Sequence, residues 1–142
     1  MLPPVLRCIR DKAQQHADHA SDDPGRKVGC ALVDGFGNVI AMGANTFPAG
    51  VAGTLERPMK YVYMEHAERN CLYNCCKTGT KTDRAAAVLT LFCCAECARG
   101  LIQAGVSAVA APKPDISDPV WGASWKQALE MLQEAGVATV WL

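Results

Sequence analysis

The chain has 142 residues, half of them apolar and a fifth charged, the balance of one globular domain with a sizeable core. Fourteen basic residues offset fourteen acidic ones, which disfavours nucleic acid as a partner, and no apolar run is long enough to span a membrane. The opening stretch MLPPVLRCIRDKAQQHADHA lacks the apolar region of a signal peptide. With adjacent pairs Cys75–Cys76 and Cys93–Cys94, the eight cysteines point to a reducing cytoplasm rather than to disulfides.

Val5 to Ala20 reads as a helix after Pro3 and Pro4, with Val5, Ile9, Lys12, Ala13 and His16 on related turns. SDDPGRK, residues 21–27, is a loop. Val28 to Val33 and Val39 to Ala44 are apolar segments around DGFGN, a hairpin signal. Asn45 to Tyr61 has no periodicity and is long for a connection, which favours a functional loop or lid. His66 to Lys77 reads as a helix with Ala67, Cys71, Leu72 and Cys75 as its apolar stripe and Gly79 as its stop.

The second half alternates strand and helix: strand Ala85–Phe92, helix Ala95–Ala104, strand Val106–Ala111, helix Ser124–Ala135 and strand Val137–Leu142. Connections of this length favour parallel neighbours. A hairpin followed by such units predicts a three-layer α/β/α domain over residues 1–142, with a central mixed five-stranded sheet and no internal repeat.

FCCAEC, residues 92–97, holds a CxxC pair, Cys94 and Cys97, and HAE, residues 66–68, opens the middle helix 28 positions earlier. Two helices on one sheet would bring these N-terminal turns together. His66, Cys94 and Cys97 would then bind zinc and leave a fourth position open, as catalytic sites do. Helix N-termini would help stabilise the thiolates. Glu68 need not point at the metal and is placed to move protons. CxxC alone fits a structural zinc half-site or a redox pair equally well, and HAE alone fits ordinary helix. Their ordered combination, an H-x-E followed by CxxC, is the pattern of zinc deaminases.

On these residues the chain resembles the zinc-dependent cytidine/deoxycytidylate deaminase superfamily, and most nearly the deoxycytidylate deaminases. The likeness runs through SDDPGRKVGCALVD, GNVIAMGANTFPAGV, ERPMKYVYMEHAERNCLYNCCKTG and LFCCAECARGLIQAGV. It implies the cytidine deaminase-like fold, a zinc cofactor, and hydrolysis of dCMP to dUMP and ammonia with Glu68 as catalytic residue. It also implies a homo-oligomer, dimer or hexamer. Asn45 matches the residue that meets the deoxyribose hydroxyl. Arg26 lies where the family loop approaches the phosphate, with Ser21 as a second donor, and Trp121 is placed to cover base or sugar. Arg69 and Asn70 would brace the site or support oligomer contacts.

Two departures stand out. The family usually has Pro where this chain has Cys93, which keeps the spacing and is read as a packing residue; Cys8, Cys30, Cys71, Cys75 and Cys76 are read as small core fillers. GANT, residues 43–46, replaces the Gly-Tyr-Asn-Gly of relatives controlled by dCTP and dTTP, so that regulation is not carried over. The competing functions are deamination of adenosine in tRNA, deamination of a modified or triphosphate deoxycytidine nucleotide, and a noncatalytic protein with structural zinc.

Overall fold

Alternation along one strand decides on which face each helix packs. In the computed structural model, which describes residues Met1–Leu142, β1 (Gly29–Val33) is buried throughout. Its Cys30 and Leu32 face one apolar cluster, and its Ala31 and Val33 face another. β1 therefore runs through the middle of a sheet covered on both sides. The sheet has five strands in the order β2-β1-β3-β4-β5, where β2 is Val39–Ala44, β3 Ala86–Leu89, β4 Ala108–Ala111 and β5 Ala138–Trp141. β1 is antiparallel to β2 and β3, and β3, β4 and β5 run parallel, so the sheet is mixed as the sequence predicts.

Helix α1 (Pro3–Ala20) covers one face alone. Its buried residues are Leu6, Ile9, Ala13 and Ala17, rather than the stripe from Val5 to His16 expected from sequence. Only Ile9 and Ala13 belong to both. The small Ala13 and Ala17 sit directly on the backbone of Gly29, where a side chain would strike the Ala13 carbonyl. That close approach rotates Lys12 and His16 out of the interface. The other face holds α3 (Ala67–Thr78), α4 (Ala95–Gln103) and α5 (Gly122–Glu134) around Leu89, Leu101, Val109 and Leu132.

β2 has the bounds expected from sequence, whereas β1, β3, β4 and β5 are shorter than the apolar runs that predict them. β3 stops at Leu89, and Phe92 enters the core beyond the ladder, 5.7 Å from the Trp141 ring. The long loop after β2 contains a short helix, α2 (Lys60–Tyr63), and a single bridge pairs Thr46 with Glu65. Cys30, Cys71 and Cys75 fill the core, but Cys8 and Cys76 are exposed, because each lies on the outer face of its helix. α3 ends at Gly79, left-handed at φ 68°, whose N–H reaches the Cys75 and Cys76 carbonyls.

α3 also seals the edge strand. Asn70 Nδ2 donates to the Ala44 carbonyl at 2.8 Å, and Asn74 Nδ2, one turn later, donates to the Met42 carbonyl at 2.7 Å. These bonds occupy carbonyls that an edge strand would otherwise present to other chains. The approach requires Gly43, because a Cβ there would meet the Ala67 carbonyl oxygen and the Cys71 nitrogen. Gly43→Ala is expected to lower stability by about 1–3 kcal/mol or more. Denaturant unfolding and metal analysis check this: the midpoint falls and bound metal falls with it, since α3 carries His66.

Candidate metal centre and pocket

His66 and Cys94 are the N-cap residues of α3 and α4, both with extended backbone (φ −83°, ψ 152° and φ −74°, ψ 170°). Cys97 lies one turn inside α4 and is fully buried. The Cys94 and Cys97 sulfurs lie 3.4 and 3.5 Å from His66 Nδ1, and the three ligand atoms fall within 4.8 Å of one another. Zinc bonded at about 2.0–2.3 Å in a tetrahedron separates neighbouring ligands by roughly 3.5 Å. The donor set and spacing therefore fit zinc, with a fourth direction free.

Within this cluster Cys94 is the thiol that ionises readily, while its neighbours keep their protons. A hydrogen bond from the Cys97 thiol holds Cys94 down at about 3 against the opposing effect of burial, and His66 contributes a further hydrogen bond. The same contact with Cys94, together with burial, pushes Cys97 well up. His66 is raised chiefly by its hydrogen bond to Cys94. A bound cation would replace the protons that these groups share. Cys93 stays outside the cluster, fully buried in the core, and burial pushes its thiol well above the ordinary value. It packs, as the sequence suggested.

Glu68 occupies the first turn of α3, 4% exposed, and lines the same pocket as His66 and Cys94. Burial pushes its carboxyl up, only partly offset by His66. Arg26, Asn45 and Trp121 line this pocket as well; Ser21 does not. Ser21 Oγ instead donates to Asn45 Oδ1 at 2.7 Å and accepts the Asp23 N–H at 3.1 Å. Asn45 also takes the Val28 N–H at 2.9 Å on Oδ1 and donates to the Arg26 carbonyl at 2.8 Å. Its amide thus shapes the loop and retains one N–H beyond these bonds. Trp121, the N-cap of α5, meets Tyr61 edge-on at 6.3 Å, while Trp125 is core.

The sequence singles out Arg69 beside the site, as a brace or an oligomer contact, but not Ser124, Asp23, Arg57 or Lys60. Ser124 Oγ accepts the Ala95 N–H at 2.9 Å, satisfying a donor at the start of α4. Arg69 joins the two ligand-bearing helices: Nε reaches Glu65 at 2.6 Å and Nη1 reaches Glu96 at 2.9 Å. Burial opposes its charge, but the Cys97 sulfur and both carboxylates outweigh that cost and raise its pKa. Asp23, Arg57, Lys60 and Tyr61 complete the pocket mouth. Of these residues, only Arg69, next to the HAE motif, and the SDDP loop are legible locally; the others depend on pairings across long stretches of chain.

The model of the family described as the cytidine and deoxycytidylate deaminase zinc-binding region matches residues 7–112. An uncharacterised deaminase encoded near luxG in Aliivibrio fischeri is 33% identical over 129 residues, 86% of this chain and 83% of that protein. A probable deoxycytidylate deaminase of Caenorhabditis elegans is 36% identical over 96 residues, 63% of this chain and 48% of its own. The chain thus spans about half the length of that relative. The crystal structure of a dCMP deaminase from cyanophage S-TIM5, in complex with dCMP and dUMP, superposes with a TM-score of 0.83. It covers 100% of this chain and 99% of its own at 24% identity, which confirms the fold. No helix is long and apolar enough to cross a membrane.

Proposed function

Because the chain belongs to the cytidine and deoxycytidylate deaminase zinc-binding family, we propose that it hydrolyses dCMP to dUMP and ammonia. One observation carries this reading. The pocket that ends at His66, Cys94 and the buried Glu68 also opens onto Arg26, so a reactive floor and a phosphate-binding cation share one cavity. When bound, zinc supplies the Lewis acid that activates water.

The protein's own residues do the rest. Glu68, too buried to exchange protons freely with solvent, accepts a proton from the attacking water and returns protons to the ring nitrogen and the departing amine. Asn45 offers its remaining N–H to the sugar, and Ser21 acts by fixing Asn45. Trp121 covers the base or sugar from the α5 side. Arg26 holds the phosphate and so orients the distant ring, which lowers the barrier beyond tighter binding alone. Residues 1–142 act as one catalytic domain. A cytoplasmic setting suits a pair of metal-binding thiolates, and exposed Val62, Val120 and Ile116 suit a homo-oligomer.

The test is ammonia release from dCMP, dCTP, deoxycytidine, 5-methyl-dCMP and tRNA, with zinc measured on the same preparation. dCMP is expected to be used best. Arg26→Ala is expected to cut the dCMP/deoxycytidine ratio of kcat/KM by roughly tenfold or more, the loss of a charge-assisted contact. Equal use of dCMP and deoxycytidine by the wild type would defeat the monophosphate assignment. Release from tRNA alone would transfer the activity to another substrate class.

A further inference from the structure

The pocket mouth carries charges that neither the metal cluster nor Glu68 explains. Asp23, Arg26, Arg57 and Lys60 all line it. Asp23 Oδ1 accepts the N–H groups of Gly25 at 2.9 Å and Arg26 at 3.2 Å, while Oδ2 lies 2.5 Å from Lys60 Nζ. Both side chains of this pair are largely buried, 8% and 13% exposed. The pair ties the loop that carries Arg26 to the segment that carries Arg57, and it neutralises Lys60. Neither arginine takes part in any of the ion pairs of the fold. Arg57 instead lies 5.7 Å over the Tyr61 ring, beside the Tyr61–Trp121 contact.

Resting on the dCMP reading above, we propose that Arg57 and Arg26 form a two-guanidinium clamp for a phosphomonoester, and that the Asp23–Lys60 pair sets the clamp's spacing and charge. Asp23 and Lys60 cancel, which leaves two positive charges at the mouth. A phosphomonoester near neutral pH carries about −1.5 to −2, so the counts match. A nucleoside leaves both guanidiniums without a partner. A triphosphate brings further negative charge toward the Asp23 carboxylate, and the pocket lining holds no third unpaired Lys or Arg to receive it. Lys60 is not available to serve, because moving it would strand a buried carboxylate. Arg57 is therefore a phosphate-binding residue, and Asp23 and Lys60 are positioning residues.

The experiment measures kcat/KM for deoxycytidine, dCMP and dCTP on zinc-loaded wild type, Arg57→Ala, Arg57→Lys, Asp23→Asn and the double variant Asp23→Asn/Lys60→Met. Calorimetric binding of dCMP and deoxycytidine to the same proteins runs in parallel. Arg57→Ala lowers the dCMP/deoxycytidine preference at least tenfold, and Arg57→Lys restores only part of it, because an ammonium cannot make the bidentate contact. Asp23→Asn keeps an acceptor for the Gly25 and Arg26 N–H groups but frees Lys60. It raises the dCTP/dCMP ratio several-fold, and the added Lys60→Met returns the ratio toward wild type. A purely structural role for Asp23 would not produce that reversal. An unchanged dCMP/deoxycytidine preference in Arg57→Ala overturns the clamp. A dCTP/dCMP ratio that does not rise in Asp23→Asn overturns the charge count. If no nucleotide releases ammonia, the deaminase reading fails, and the calorimetric preference for dCMP over deoxycytidine still decides the clamp.

Discussion

Glu68→Gln is expected to fold, to retain its zinc and to lose dCMP turnover by about 100- to 10,000-fold. The size follows from the role. A general acid–base group of that value lowers the barrier by roughly 3–5 kcal/mol, at about 1.4 kcal/mol per tenfold. Glu68 is 4% exposed in the first turn of α3, and its carboxyl is pushed up by burial, so it can both release and accept protons at the pocket floor. Glutamine keeps the volume and the hydrogen-bonding shape but cannot carry the proton. The metal cluster is made by His66, Cys94 and Cys97, without Glu68. Zinc content and circular dichroism should therefore match the wild type while ammonia release collapses. Near-normal turnover would remove Glu68 from the chemistry.

Removing a ligand is expected to act on the fold as well as on the reaction. His66→Ala, Cys94→Ala and Cys97→Ala should each lose zinc, and with it the cross-link between the starts of α3 and α4. At free zinc about 1,000 times its dissociation constant, binding stabilises the native state by about 4 kcal/mol. For a chain of this length that corresponds to roughly 8–16 °C in melting temperature. Chelation of the wild type should produce a similar drop, which separates metal loss from local packing damage. Cys97→Ala should fall further, because its sulfur is also buried in the core. Cys93→Ala is the control. It should keep zinc and lose only about 1–2 kcal/mol, the cost of a small void. Zinc lost from Cys93→Ala but kept by Cys94→Ala would show that the ligand register is shifted by one residue.

The sequence by itself determined the succession of the five strands and four longer helices, the mixed sheet and the grouping of His66, Cys94 and Cys97, though not the short α2. Apolar runs of strand length, a turn-rich gap and the helical spacing of Ala67, Cys71 and Cys75 are local signals, because backbone geometry repeats over a few residues. The HAE and CxxC motifs are equally local, and each begins at a helix start, so placing two helix N-termini side by side was enough to assemble the centre. The face of α1 was legible only in part, since Ile9 and Ala13 were found but Leu6 and Ala17 were displaced by Val5 and His16. What only the tertiary structure decided are the partnerships between distant stretches of chain. The Asp23–Lys60 pair, the bonds from Asn70 and Asn74 to β2, and the entry of Arg57 and Tyr61 into the pocket are of this kind. Charged and polar side chains look alike in sequence whether solvated or paired. Their roles depend on which opposite charge, carbonyl or cavity the folded backbone brings within a few ångströms.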